Sequence, residues 1–575
     1  MAEREQWGTR VGFILAAMGS AVGLGNIWKF PYMCYANGGG AFLVPYAVAL
    51  FVVGIPLMML EFGLGHWARS GAPTAFGKVH RRFSWIGWWA VSFVMFGIVV
   101  YYAVVIAWCG CYFVASFTRA WGQDPNAFFS RFILTQTTIY EEAVRNPAGE
   151  LIKPGRFTFG AMNWWIVLSL GVVWLFNWII TFFGIKKGIE RANKIFMPLL
   201  LILVGVLVVW SLVSLHGAMD GVRFYLKPDW KVLWKPKVWT DAFTQIFFTL
   251  SLAFGIMIAY ASYLPRESDI PMDAFITSVA NCLFSVFAGF AVFATIGYLA
   301  FDKGVPVAEL ERVYKLSGPK LIFVTYPVML NKMGGGGTVF GILFFLLLVI
   351  AGLSSSISIV EAFATAVLDR AKVSRRWVVT VLCAIAFVLG LLFCTGTGLI
   401  SLDIVDHFML TYGLMVVAIL ECIIVGWFFT AKRLRAHLDD TAGMRFGPVI
   451  GIAMRLVITA VLVVTWYYLA TEGPQTIGAD IIRFLLVGGI LLVWLDEHWL
   501  DADIKLVIPA LLVFLLERAL HTEITKPYEG YPRAAILWLG LGWIAATLIV
   551  AFTLNLLFQR KEPGELGEAE AMGQE

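Results

Sequence analysis

The sequence predicts an all-α polytopic membrane protein of about 12 spanning helices. Three observations carry that reading. The 575-residue chain is 60% hydrophobic and 14% charged, whereas a soluble domain carries roughly 25% charged residues. Its mean hydropathy is +0.80. The apolar residues also come in long runs, such as the one from Trp85 to Phe117, which holds no charged residue. About 20 mostly apolar residues cross about 30 Å of hydrocarbon as a helix, the form that pairs all backbone groups within one segment.

Helices are expected at 11–36, 41–66, 85–117, 163–183, 190–215, 240–263, 273–301, 338–369, 376–396, 400–430, 447–470 and 532–558. Before the last lie two shorter apolar stretches, 481–495 and 506–516, around the acidic residues Asp496, Glu497, Asp501 and Asp503. Each is short for a span, so a tilted extra hairpin over 481–516 and a surface or re-entrant one both stay open. The charged, Gly-rich tail after Phe558 is expected to be disordered.

Basic residues crowd alternate loops: Arg69, Lys78, Arg81 and Arg82; Lys186, Lys187, Arg191 and Lys194; Arg370, Lys372, Arg375 and Arg376; Lys432, Arg433 and Arg435. The positive-inside rule puts these loops, and both termini, in the cytoplasm. The first apolar stretch runs into a full-length helix with no small-residue cleavage site after a short core, so no cleaved signal is expected. The seven cysteines lie in apolar segments and read as packing residues. The loop 119–162 has no cysteine and the chain no Asn-x-Ser/Thr sequon. Both absences suit a bacterial inner (plasma) membrane.

Two helices look broken. The first holds Gly19-Ser-Ala-Val-Gly-Leu-Gly-Asn26 and the sixth Ser251-Leu-Ala-Phe-Gly255. Glycine lets the backbone leave helical geometry, although it also serves close packing in membranes. The breaks open two successive blocks of five helices, which points to an inverted-repeat transporter with its site at the midplane. The expected division is 1–215, 216–430 and a peripheral 431–575. A half-helix start attracts a carboxylate and a half-helix end a cation. An amino acid with sodium satisfies both. Oxygens for a hard cation are available on Asn26, Thr249, Asn281, Ser354 and Ser355, each of which also has a plain reading as an interhelical hydrogen bond. Glu61 and Glu361 are the clearest acids deep in apolar runs. For Glu61 a functional role and a structural one, accepting freed N–H groups of the sixth helix, weigh equally.

At this point the motifs become recognisable. Arg4 to Pro31, with Trp7, Gly19–Asn26 and Trp28-Lys-Phe-Pro31, resembles the first helix of the neurotransmitter:sodium symporter family. Asn37-Gly-Gly-Gly-Ala-Phe42 with Pro45-Tyr46, Gln245-Ile-Phe-Phe-Thr-Leu-Ser-Leu252 and Ala351-Gly-Leu-Ser-Ser-Ser-Ile357 resemble its second, sixth and eighth helices. The likeness covers roughly residues 4–470, with 532–558 similar to the final helix. It implies a leucine-transporter-like (LeuT-like) fold, a 5+5 inverted repeat with helices 1 and 6 broken.

The resemblance also implies site residues. A first sodium would use Ala21, Asn26, Thr249 and Asn281 with the substrate carboxylate. A second would use Gly19, Val22, Ala351, Ser354 and Ser355. The carboxylate would meet Leu24, Gly25 and Tyr102. The side chain would lie among Ile98, Phe248, Ser251, Phe254, Ser355 and Ile359. Gly23 stands where monoamine carriers have Asp, so the substrate should bring its own carboxylate. Ala253 stands where the leucine carrier has Gly, and with Ile98 and Ile359 this implies a neutral, aliphatic or small amino acid. Tyr46, Gln245, Thr249, Asn281 and Ser285 resemble the chloride site of animal members, where chloride-independent bacterial relatives place an acid. Chloride is therefore expected as a third solute, with Asp241 as a rival source of charge. The outer gate would pair Lys29, in place of the usual Arg, with Asp406. The inner gate would pair Arg4 with Asp369, near Trp7 and Tyr263. The loop 303–337 resembles the lid over the outer vestibule.

The expected function is sodium-coupled import of such an amino acid. The alternatives are a carrier of the same fold for a betaine-like or other carboxylate-bearing compatible solute, and a non-transporting membrane sensor. No enzyme is expected, because no histidine forms a spaced metal motif with another His or Cys. The expected partners are the small molecule and membrane lipid, with no nucleic acid. Monomer and homodimer both stay open.

Overall fold

The computed structural model describes residues 5–146, 151–314, 318–443, 448–471, 477–496, 498–526 and 528–559. The expected tail after Phe558 lies almost wholly outside the described residues. Among the described residues the regular structure is helical, apart from two short antiparallel pairings in the loop after the third helix, Tyr140↔Phe157 and Val144↔Lys153, and two isolated bridges, Gly39↔Pro228 and Met162↔Thr395.

The long helices are α1 (Arg10–Ala21 with Leu24–Ala36), α2 (Gly40–Ala68), α3 (Arg81–Ser116), α4 (Trp164–Phe182), α5 (Ile185–Ser214), α6 (Pro236–Thr249 with Ile256–Ala261), α7 (Ile270–Lys303), α8 (Gly336–Leu368), α9 (Arg375–Cys394), α10 (Gly398–Phe428), α11 (Pro448–Thr471), α12 (Ile477–Leu495), α13 (499–525) and α14 (Arg533–Phe558). Ten helices are each long and apolar enough to cross a membrane among the described residues. The two halves of α1 form a further span, bent by 68°. The halves of α6 are each too short to cross alone and meet at a break. With α6 counted as a broken span, the number roughly fits the expected twelve.

Burial follows position in the bundle. α3 packs against α8, and α1 against α5, α7 and α8. Phe13, Val104, Trp108 and Phe363 are buried in the centre. α4, α5 and α14 instead turn Leu168, Val213 and Leu556 outward. Such exposed aliphatic surface is stable only against lipid.

The stretch 481–516 resolves as two long helices. α12 lies on α11, where Trp494 donates to Thr459 at 3.0 Å and Arg455 donates to the Asp496 carbonyl at 3.0 Å. α13 lies along α10. Asp501 pairs with Arg435 at 3.2 Å near one end, Trp427 donates to the Lys505 carbonyl at 3.0 Å, and Glu523 meets His407 at 3.2 Å near the other end. At about 1.5 Å per residue, 499–525 extends for about 40 Å, more than the hydrocarbon thickness. Its acids hid it in the sequence, yet they face protein: Asp501 and Asp503 are buried. Beyond α13, Tyr528 and Tyr531 donate to Asp403 at 3.1 and 2.9 Å, closing the hairpin onto α10.

The helix Ala431–Thr441, in the basic loop after α10, docks through a histidine pair. His66 Nε2 must donate to the Pro265 carbonyl at 2.8 Å, so its Nδ1 accepts from His437 Nε2 at 3.0 Å. Burial, then the neighbouring His66, pushes His437 down from 6.5 to about 4. The unfolded chain therefore binds the proton more tightly, so this contribution is complete above about pH 6.5 and fades as pH falls toward 4. Lowering the pH from 7.5 to 5 should reduce the thermal midpoint of the purified protein, and His437→Gln should shrink that reduction. An unchanged reduction in the variant would contradict the assignment.

Candidate functional site

The α1 break follows from two local features. α1's first half ends at Ala21, with Val22 donating its N–H to the Met18 carbonyl at 2.6 Å. Gly23 is extended at φ −122° and ψ −167°, and Asn26 Oδ1 accepts its N–H at 2.9 Å, capping the next half. A Cβ at Gly23 would lie 3.1 Å from both Ser355 Oγ and Tyr102 Oη, so the position admits a side chain only if these groups yield.

The α6 break is more strained. Ser251, Ala253 and Gly255 all have positive φ, at 54°, 62° and 69°. Only the glycine adopts this freely; each of the others costs on the order of 1 kcal/mol. Glu61 of α2 compensates. It is fully buried, and its Oε1 accepts the Ala253 N–H at 2.6 Å. This geometry carries the structural reading of Glu61.

Between the breaks lies a cavity of about 60 Å3. Ala21, Leu24, Gly25, Asn26, Ile98, Tyr102, Phe248, Thr249, Ser251, Phe254, Ser355 and Ile359 line it, together with Ser20, Gly23 and Ile256. All the residues expected to bind substrate are thus brought to one space. Tyr102 Oη lies 3.4 Å from the Leu24 N–H, a long contact at the start of a half-helix. N–H groups at a half-helix start, beside a hydroxyl, are groups that can donate to an anion. The remaining walls are largely apolar.

Two groups of oxygens flank the cavity. In the first, Asn26 Nδ2 donates to Asn281 Oδ1 at 2.9 Å, and Asn281 Nδ2 to Thr249 Oγ1 at 3.2 Å, with Ala21 close by at the half-helix end. In the second, Ser354 Oγ donates to the Ala351 carbonyl at 2.9 Å, and Ser355 Oγ lies 3.4 Å from the Gly19 carbonyl and 3.4 Å from that of Ala351. Val22 sits at the same half-helix end. Neutral oxygens of this kind suit a hard cation. The Ser20 carbonyl accepts from Ser251 at 3.2 Å and from Ser355 at 3.1 Å, so it joins the two breaks to α8.

Beside the first group lie further buried polar side chains. Gln245 is fully buried and neither amide atom has a partner. The buried Tyr46 hydroxyl lies beside Cys282 and Ser285. Ser285 Oγ accepts from Asn26 at 2.8 Å. Orphaned buried donors are costly, and an anion would satisfy them. The rival charge, Asp241, is engaged elsewhere, by Lys237 at 2.6 Å and Asn37 at 3.0 Å.

The gate residues are arranged unequally. Lys29 Nζ lies 4.3 Å from the centroid of the Phe248 ring, a cation–π contact. Asp406 accepts from Tyr101 at 2.7 Å and makes no ion pair with Lys29 within 4.0 Å. At the basic end Arg4 lies outside the described residues. Asp369 accepts the Gly71 N–H at 2.6 Å. Trp7 donates its indole N–H to the Tyr260 carbonyl at 2.8 Å and its backbone N–H to the Tyr263 carbonyl at 3.2 Å. Tyr263 donates to Glu361 at 3.2 Å, and Glu361 forms a forked pair with Arg375. The basic residue that answers Glu361 thus comes from the start of α9.

Sequence reasoning missed several participants. Tyr101 is one residue from the expected Tyr102, and one turn from Ile98 on the same helix. Asn193 Oδ1 is buried, unpartnered, and would meet a Cβ at Gly19 at 2.1 Å. Glu421 is a buried acid in an apolar run, the signal that singled out Glu61.

Comparison with known proteins agrees with this geometry. The profile described as the sodium:neurotransmitter symporter family matches residues 4–479. An uncharacterized sodium-dependent transporter of Methanocaldococcus jannaschii is 43% identical over 475 residues, covering 82% of this chain and 92% of that protein. The sodium- and chloride-dependent GABA transporter 2 of Rattus norvegicus is 33% identical over 493 residues, covering 81% and 80%. The sodium-dependent dopamine transporter of Caenorhabditis elegans is 32% identical, covering 77% of each. A match across most of the chain, on a fold with these paired breaks, means that the protein belongs to the sodium:neurotransmitter symporter family.

Proposed function

We propose that the protein imports a neutral, aliphatic or small amino acid, coupled to two sodium ions and supported by chloride, by alternating access. One observation supports the reading: Leu24 and Gly25, at a half-helix start, line the cavity with Tyr102, while position 23 is glycine and offers no acid for an amine. The substrate then supplies the negative charge itself. Its carboxylate completes the first sodium's ligands among Ala21, Asn26, Thr249 and Asn281, which couples the two solutes by direct contact. The second sodium takes oxygens of Gly19, Val22, Ala351, Ser354 and Ser355, tying α1 to α8. Two cations in a low-dielectric site need compensating charge. Chloride held by Tyr46, Gln245, Thr249, Asn281 and Ser285 supplies it.

Alternating access would use the two gates in turn. Lys29, Asp406 and Tyr101 close one end, above Phe248 and Tyr102. Trp7, Tyr263 and Glu361, with Arg4 and Asp369, close the other. The basic loops support a cytoplasmic position for that second end and for both termini, in a bacterial inner membrane. A second reading, an ω-amino acid or betaine-like solute, draws support from relatives named as GABA transporters.

Competition of labelled uptake by a panel of α-amino acids, GABA and glycine betaine separates the two. A neutral α-amino acid should compete best, and GABA or betaine winning would favour the second reading. Gly23→Asp should lower uptake at least ten-fold, because its carboxylate faces that of the substrate; unchanged uptake would contradict the receptor. Replacing chloride with gluconate should cut uptake severalfold in the unaltered protein and hardly at all in Ser285→Glu. A Ser285→Glu protein that still needs chloride would count against the anion site.

A further inference from the structure

A second and larger cavity, of about 500 Å3, lies away from the breaks. Its walls come from four helices, represented by Val48 of α2, Phe243 of α6, Val461 and Val464 of α11, and Leu511 and Phe514 of α13. α13, which closes one wall, lies beyond residue 479, where the family match ends. The lining is overwhelmingly aliphatic and aromatic, which suits hydrocarbon rather than water.

Depth and rim narrow the occupant. Most lining residues of α11 come from its half farthest from the basic loops, those of α6 from its start and those of α13 from its middle, so the cavity runs from the far side toward the midplane. The segment leading into α6 carries Lys231, Lys235 and Lys237 interleaved with Trp230 and Trp234. Trp230 is 59% and Trp234 87% exposed, and Trp234 itself lines the cavity. Exposed indoles among lysines mark the headgroup level of a bilayer. Lys237 is engaged by Asp241 at 2.6 Å. Lys231 and Lys235 are exposed and have no carboxylate partner among the described residues.

We propose that this cavity binds one acyl chain of an anionic phospholipid of the far leaflet, whose phosphate lies at Lys231 and Lys235. The tail fills the gap between the core helices and the hairpin, and the headgroup sits where the lysines meet water. Through Phe243 and Trp239 the lipid also touches the first half of the broken helix α6. The site is independent of the substrate cavity and of the identity of the substrate.

Native mass spectrometry of the full chain, titrated with phosphatidylglycerol and with phosphatidylcholine of the same acyl chains, tests the proposal. The unaltered protein should retain one phosphatidylglycerol at a concentration at least ten-fold below that needed for phosphatidylcholine. The double variant Lys231→Gln/Lys235→Gln should lose that preference, at roughly five-fold per lysine. Ala460→Trp and, on the opposite wall, Leu511→Trp each place an indole in the cavity and should weaken retention of both lipids, with a thermal midpoint reported alongside. Equal affinity for the two lipids in the unaltered protein would overturn the headgroup assignment. Undiminished retention in a folded tryptophan variant would overturn the cavity as the binding site.

Discussion

A helix broken inside a membrane exposes backbone groups that lipid cannot satisfy, and each one left unpaired costs several kcal/mol. The contact of the Glu61 carboxylate with the Ala253 N–H, at 2.6 Å, is how this protein meets that constraint in α6. Asn26 does the same for α1 by accepting the Gly23 N–H. These two side chains let the segments stay unwound, and the unwound segments make the cavity. The strain at Ser251 and Ala253, both with positive φ, is held in place by the same arrangement.

The site's chemistry follows from the breaks. Half-helix ends leave carbonyls beside the hydroxyls of Ser354 and Ser355, and a half-helix start leaves N–H groups beside the Tyr102 hydroxyl. Opposite charges are thereby invited to adjacent places. Among the described residues no charged side chain lines the cavity to satisfy either. The buried, unpartnered amide of Gln245 is what the proposed anion site would satisfy next to the first sodium. Lys29 makes the outer closure different in kind: an ammonium over the Phe248 ring leaves Asp406 to Tyr101. Lysine has no planar fork with which to bridge a carboxylate in two places.

Much of this was legible in the sequence. Uninterrupted apolar runs gave the helices, and the glycines of 19–25 marked the first break where it occurs. The family resemblance brought together residues from four distant segments that line one cavity. What escaped has physical causes. α13 was read as a short stretch because Asp501, Asp503, Glu517 and Glu523 interrupt its hydropathy, and hydropathy cannot tell an acid facing α10 from one facing lipid. The α6 break carries only one glycine, so the left-handed Ser251 and Ala253 were not visible. Asn193 lies outside every motif and meets Gly19 only through the packing of α5 on α1. The pairing of Glu361 with Arg375 likewise depends on how α9 begins beside α8.

On the proposed reading, a carboxylate shared between substrate and the first sodium couples the two, and transport should therefore follow the sodium gradient. The direct measurement is uptake of labelled neutral amino acids by proteoliposomes containing the purified chain, with an inward sodium gradient or with potassium in its place. Concentrative uptake that needs sodium and collapses when the gradient is dissipated is the predicted result. Equal accumulation in potassium, or sodium-independent binding of the amino acid to the purified protein, would contradict the account.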